Sequence, residues 1–159
     1  MEQQRTGHHQ GNSTEQLLDK NAILDELPIL PGHTILDVGC GNGYMANAFA
    51  YALNNAGTVY ALDRATEAVA RLKHEAAHPN IIPIEGDITK TIALPDASID
   101  LMYLSTVFHI FSDEQRTAFQ HEAKRLLKPN GALAIVEIEK RETPFGPPCE
   151  VSQHAFLHG

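Results

Sequence analysis

The sequence predicts an open, doubly wound α/β domain, a mostly parallel sheet with helices on both faces. Three observations carry that prediction. Short apolar runs alternate with helix-length amphipathic runs along most of the chain, the pattern of repeated strand–helix units. The short runs are continuously apolar, as strands covered on both faces must be. The first of them, Thr34 to Val38, ends directly in Gly39-Cys40-Gly41-Asn42-Gly43 and then a helical run, and ligands of such sheets bind outside the carboxyl ends of the strands.

Taken in order, residues 1–13 are polar and read as a flexible N-terminus, residues 14–142 as the folded domain, and residues 143–159 as a loop-like tail rich in proline. Apolar residues at 17, 18, 22, 23, 24 and 27 predict a helix from Thr14 to Leu27, stopped by Pro28 and Pro31-Gly32. Thr34 to Val38 is the first strand. Tyr44 to Leu53 is a helix with Met45, Ala48, Phe49, Ala52 and Leu53 inward, ended by Asn54-Asn55-Ala56-Gly57. Thr58 to Leu62 is a strand, and Ala65 to Lys73 a helix with Ala65, Ala68, Val69 and Leu72 inward. Ile81 to Ile84 is a strand that Pro83 confines to an edge or keeps short. Ile99 to Leu104 is the fourth strand. Ser112 with Gln115 forms a capping box opening a helix whose stripe is Phe119, Ala123, Leu126 and Leu127. Lys128 to Gly131 reads as a turn, and Ala132 to Ile138 as the fifth strand.

At 159 residues the chain suffices for one domain with its own core. Twelve Lys and Arg against 20 Asp and Glu leave a net charge of −8, which disfavours nucleic acid as a partner. No apolar run is long enough to span a membrane, and nothing reads as a leader. Cys40 and Cys149 show no CxxC spacing, which favours a reducing cytoplasm and no structural zinc. The nine histidines are expected to form no metal site.

Three glycines in five positions exceed what a simple turn needs, since each costs roughly 0.5–1 kcal/mol against alanine. Their spacing, GxGxG, is neither the dinucleotide GxGxxG nor a phosphate-binding GxxxxGK. Asp37, two residues before Gly39, would oppose a phosphate and suits a cationic amine. Asp63 follows the second strand about twenty residues past Gly43, where an acid accepts hydrogen bonds from ribose hydroxyls; the competing reading is a cap for the following helix. Asp87 follows the third strand, where its carboxylate and the Ile88 N–H suit the edge of an adenine; the competing reading is a solvated turn aspartate. Cys40 reads as a small packing residue, with nothing basic beside it to make it a nucleophile. His109, in VFHIF after the fourth strand, is the candidate catalytic residue on the substrate side, against a structural histidine in an apolar run. His8 and His9 belong to the N-terminus and make no metal pair.

ILDVGCGNG, TVYALD, IEGDI, LPDASIDLMYLSTVFHIF and RLLKPNGALAIVEI, in this order, resemble the successive motifs of class I S-adenosylmethionine-dependent methyltransferases, in particular the small single-domain ubiquinone/menaquinone-biosynthesis-like type. The resemblance covers Thr14 to Glu139. It implies a Rossmann-like methyltransferase fold, S-adenosylmethionine as cofactor and a small-molecule methyl acceptor. It further implies that Gly39, Cys40, Gly41 and Gly43 lie along the methionine moiety with Asp37 near its amino group. Asp63 would hold the ribose, Leu62 and Arg64 flank the adenine, Asp87 and Ile88 read its edge, Tyr44 line the cofactor, and Ser105 stand near the substrate mouth. The chemistry implied is an in-line displacement in which the protein supplies proximity and orientation; a base is needed only for a protonated nucleophile.

The sequence departs from that pattern after the fifth strand, where the family carries two more strands and this chain only ETPFGPPCEVSQHAFLHG. The C-terminal strands are expected to be missing or truncated, with a homodimer or lowered stability as the consequence of an open edge. The alternative function is a non-catalytic cofactor-binding or interaction module of the same fold. A nicotinamide oxidoreductase is disfavoured by the GxGxG spacing and Asp37.

Overall fold

The computed structural model describes residues 18–137. Within them the elements run α1 Lys20–Glu26, β1 Thr34–Val38, α2 Tyr44–Ala52, β2 Thr58–Asp63, α3 Thr66–Glu75, β3 Ile81–Glu85, β4 Ile99–Ser105, a 3₁₀ turn Phe108–Ile110, α4 Asp113–Leu126 and β5 Leu127–Val136. The five strands form one sheet in the order β3-β2-β1-β4-β5, and every neighbouring pair is parallel. The order reverses between β1 and β4, so the crevice of this doubly wound sheet opens at their carboxyl ends. Pro83 sits in β3, an edge strand among the described residues, where a missing backbone donor is tolerated.

Side-chain alternation splits the core into two layers. Ile35, Val59, Ala61, Leu101, Tyr103 and Ala134 pack toward Ile23 of α1, Met45 and Phe49 of α2 and Leu72 of α3. Leu36, Val38, Leu62, Met102 and Leu104 pack toward Phe119, Ala123 and Leu126 of α4, with Ile88 and Ile92 of the β3–β4 connection completing that layer. Phe49 meets Tyr103 edge to face at 5.1 Å.

Several boundaries differ from the sequence expectation. Helix α1 starts at Lys20 because the Asp19 carboxylate accepts the N–H groups of Asn21 and Ala22; positions 14–17 of the expected helix lie outside the described residues. In α2 the buried face includes Ala46 and Ala50, while Ala52 is exposed. In α3 only Val69 and Leu72 are buried. Leu127 is the first residue of β5, not the last of the helix stripe.

Lys128 to Gly131, expected as a turn, lies within β5. The register explains it: Ile99 pairs with Leu127 and Leu101 with Ala132, so the extra residues of β5 are taken up as an irregularity in the ladder. Lys128 Nζ is 3.0 Å from both Asp100 carboxylate oxygens across that bulge. The capping box of α4 is formed as expected: Gln115 N–H donates to Ser112 Oγ at 3.2 Å, and Ser112 N–H to Gln115 Oε1 at 2.9 Å. Among the described residues no helix is long and apolar enough to cross a membrane. The tail from residue 143, Cys149, His8, His9 and the end of the expected fifth strand lie outside the described residues.

Candidate functional site

At the carboxyl ends of β1, β2 and β3 the strand tips and the loop after β4 enclose a cavity of ≈ 380 Å³. Val38 and Gly39 bound it from β1, Leu62, Asp63 and Arg64 from β2, and Gly86, Asp87 and Ile88 from β3. Val107, Ile110 and Phe111 close it from the loop after β4, and Gln115 from the first turn of α4.

The loop after β1 owes its shape to glycine. Gly39, Gly41 and Gly43 hold φ values of 71°, 51° and 84°, a region that costs other residues roughly 1–2 kcal/mol. At Gly39 a side chain would also collide: its Cβ would stand 2.7 Å from Val107 Cγ2. Gly39 and Cys40 donate their N–H groups to the Leu62 carbonyl at 2.8 and 3.0 Å, tying the loop to the tip of β2. Asn42 Oδ1 accepts the Tyr44 N–H at 3.1 Å at the start of α2.

Asp63 is the hub. Its Oδ2 accepts the Gly41 N–H at 2.9 Å and its Oδ1 the Ala65 N–H at 2.9 Å. The helix cap proper is Ala65 and makes no side-chain cap bond; Asp63 stands two residues before it and accepts the cap residue's own N–H. A carboxylate offers about four acceptor positions, so these two bonds leave capacity for two ligand hydroxyls. Asp87, one strand over, takes both Thr89 donors on Oδ1: the backbone N–H at 2.9 Å and the hydroxyl at 2.6 Å. The Thr89 hydroxyl holds the Asp87 carboxyl below its ordinary value against the opposing effect of burial, with Lys90 and Arg64 adding to it. Asp87 is therefore an anion with Oδ2 left for a ligand.

Of the residues the sequence singles out, the cavity gathers Gly39, Leu62, Asp63, Arg64, Asp87 and Ile88. Gly41 stands behind Asp63 and Gly43 caps α2, neither on the lining. Asp37 is 3% exposed and outside the lining; it points to the face opposite Val38, with Ile35. Cys40 is fully buried in the α1/α2 layer, in accord with a packing role and far from that of a nucleophile. Tyr44 packs partly against the same layer and carries Lys20 Nζ 5.5 Å above its ring, so it too stands off the lining.

Ser105 is the last residue of β4; its Oγ is buried with no hydrogen-bond partner among the described residues. A buried hydroxyl without a partner is costly; this one lies at the β4 tip, outside the cavity lining. His109 lies outside the lining although Val107, Ile110 and Phe111 on either side belong to it. Its ring Nδ1 is 2.8 Å from Glu137 Oε2 and its backbone N–H donates to Glu137 Oε1 at 3.2 Å.

Sequence reasoning missed Phe111 and Gln115 as cavity walls. Gln115 was legible only as a capping residue. Phe111 is held by Phe108 and Phe119, ring centroids 6.1 and 5.9 Å away, a cluster visible in the sequence only as scattered aromatics. Glu137 drew no reading of its own within the expected strand from Ala132 to Ile138.

Known proteins match this arrangement. The model of the family described as methyltransferase domain matches residues 35–131. A SAM dependent methyltransferase from Aquifex aeolicus, known from its crystal structure, is 31% identical and superposes with a TM-score of 0.73, over 86% of this chain and 73% of that one. An uncharacterized methyltransferase of Synechocystis sp. is 28% identical over 134 residues, 84% of this chain and 60% of the relative. The ubiquinone/menaquinone biosynthesis C-methyltransferase of Cupriavidus taiwanensis is 28% identical over 119 residues, 74% of this chain and 48% of the relative. The chain thus spans about half the length of the curated relatives it matches.

Proposed function

The chain belongs to the methyltransferase domain family, the class I S-adenosylmethionine-dependent methyltransferases, and from that premise we propose that it transfers the methyl group of S-adenosylmethionine to a small-molecule acceptor. The observation that carries the reading is the convergence of Asp63 and Asp87, from the tips of two different strands, on the one cavity that the Gly39 loop opens.

The residues present fit the cofactor. Asp63, fixed by two backbone N–H groups, has acceptor capacity for the two ribose hydroxyls. Asp87 and the Ile88 N–H suit the amino group and ring nitrogen of the adenine, with Leu62 and Arg64 along its faces. The glycine loop gives the methionine moiety room to lie against backbone. In this reading Asp37 serves its amino group, Ser105 stands near the substrate mouth, and Tyr44 lines the cofactor. When bound, the cofactor supplies an activated methyl electrophile. The chain's own contribution is then orientation and exclusion of water, and His109 stands on the acceptor side. The net charge of −8 supports a small molecule over nucleic acid as acceptor, and the two cysteines without CxxC spacing fit a reducing cytoplasm.

Titration calorimetry with S-adenosylmethionine and S-adenosylhomocysteine tests the reading. Micromolar dissociation constants are expected. Binding no tighter than millimolar by a folded sample rules it out, and tight binding without transfer to any acceptor selects the non-catalytic module instead.

A further inference from the structure

We propose that His109 is the general base of the transfer, that Glu137 positions it, and that the acceptor is therefore a protic oxygen compound, an alcohol or phenol. The inference rests on the methyl-transfer reading above and deepens it.

Glu137 follows β5 directly, and His109 lies on the 3₁₀ turn after β4. Their side chains meet across the neighbouring tips of these two strands, 28 positions apart in sequence. Glu137 grips the histidine twice, with Oε2 on the ring Nδ1 at 2.8 Å and Oε1 on its backbone N–H at 3.2 Å. An ionised carboxylate only accepts hydrogen bonds, so Nδ1 must be the nitrogen that carries the proton. In the neutral ring Nε2 then holds the free lone pair. This is the arrangement a base requires: the distal nitrogen free, the proximal one locked by an acid that also stabilises the cation formed.

Position selects the acceptor side. The strand order is β3-β2-β1-β4-β5. Asp87 and Asp63 occupy the tips of β3 and β2, and the glycine loop the tip of β1. A nucleoside held by the two acids, with its methionine end along the loop, would have that end on the β4 side of the acids. His109 and Glu137 stand at the β4 and β5 tips, at the far end of that line. Val107, Ile110 and Phe111 face the cavity while His109 turns to Glu137. The His109 side chain is 59% exposed, so its ring is open to an incoming molecule.

The step balances without a further reactant. As the acceptor oxygen forms its bond to the methyl carbon, the carbon–sulfur pair leaves on sulfur as a neutral thioether. The O–H proton passes to His109 Nε2. An acceptor already anionic at neutral pH, such as a thiolate, has no use for this dyad.

Two measurements decide it. The first is the ¹⁵N–¹H correlation spectrum of the His109 ring in the full chain with S-adenosylhomocysteine. The neutral ring is expected as the Nδ1–H tautomer in the wild type, reverting toward the Nε2–H form in Glu137→Ala. The second is radiolabelled methyl transfer to a panel of phenols, alcohols, primary amines and thiols. Transfer to hydroxyl compounds is expected, reduced about 10²-fold or more in kcat by His109→Ala and about tenfold by Glu137→Ala, while each variant binds S-adenosylhomocysteine as the wild type does. An Nε2–H tautomer in the wild type, or O-methylation by His109→Ala at the wild-type rate, or transfer confined to amines or thiols, overturns the proposal alone. Failure of the wild type to bind S-adenosylhomocysteine overturns the methyl-transfer reading and this inference with it.

Discussion

The Asp63 carboxylate accepts the N–H of Gly41 at 2.9 Å across a sequence separation of 22 residues. The acid at the tip of β2 and the glycine loop after β1 are thus one unit, and the loop cannot shift without disturbing the acid. Removing the side chain should do two things at once. It takes away the acceptor for ligand hydroxyls, where a bond to a charged group is worth about 1.5–3 kcal/mol, and it releases the Gly41 and Ala65 N–H groups. Asp63→Ala is therefore expected to weaken S-adenosylhomocysteine binding by about tenfold or more, measured by calorimetry. An unchanged affinity removes Asp63 from the binding site.

Two glycines with nearly the same backbone separate conformational strain from steric contact. Gly32 has φ 85° and nothing within 4 Å of an added Cβ; Gly39 has φ 71° and Val107 Cγ2 at 2.7 Å. Gly32→Ala should cost about 1–2 kcal/mol of stability, the left-handed penalty alone. Gly39→Ala should cost about 1–3 kcal/mol more, the range for an overpacked site. Adding Val107→Ala to Gly39→Ala should recover part of that excess, seen as a favourable coupling in a double-mutant cycle by urea denaturation. Equal losses at both glycines would remove Val107 from the account of the loop.

Much of the fold and part of the site were legible because they depend on neighbours in sequence. Continuous apolar runs, the capping box at Ser112 and Gln115, the asparagines ending α2 and the acids at the tips of β2 and β3 are all local patterns. The sequence also placed Asp63 and Asp87 on one rim, since a parallel sheet sets all its carboxyl ends on the same edge. What stayed hidden depends on pairing at long range. The Lys128–Gly131 segment has turn composition, and only the offset between Ile99–Leu127 and Leu101–Ala132 turns it into a bulge. Glu137 gains a meaning only when β5 lies beside β4.

The same holds for Glu122 and Arg125, which in sequence look like solvated charges on α4. Glu122 is 6% exposed and accepts the Ile92 N–H at 2.8 Å. Arg125 bonds Glu122, the Asp96 carboxylate and the carbonyls of Ile92 and Leu94. Together they staple the β3–β4 connection to α4. The Arg125 hydrogen bond holds the Glu122 carboxyl below its ordinary value against burial, and Arg125 is correspondingly raised. A carboxyl whose value is lower folded than unfolded stabilises the fold above its unfolded value, about 4.3, and loses that contribution as pH falls through the folded one. Glu122→Gln should therefore be less stable than the wild type at pH 7 by about 1–3 kcal/mol, with the gap closing below about pH 4. Asp87 and Asp100 are lowered as well, so the variant should keep a reduced acid slope. A constant gap from pH 7 to pH 3, by urea denaturation, would show that the Glu122 charge carries no stability.

The Asp87 carboxylate offers a discrimination that affinity alone does not. Both donors of Thr89 fall on Oδ1, and Asp87, an acceptor only when ionised, lines the cavity. An adenine amino group satisfies an acceptor; the carbonyl that replaces it in hypoxanthine repels one. The wild type should bind S-adenosylhomocysteine at least tenfold tighter than S-inosylhomocysteine, because mismatching a buried polar group costs about 1–3 kcal/mol. In Asp87→Asn the amide keeps its carbonyl toward Thr89 N–H and presents an NH₂ group to the cavity. That variant should lose affinity for the adenosine compound and gain it for the inosine compound, narrowing or reversing the preference. Competition calorimetry with the two nucleosides reads the ratio directly. A ratio that Asp87→Asn leaves untouched would mean that the tip of β3 does not read the base, and that the base lies elsewhere along the strand tips.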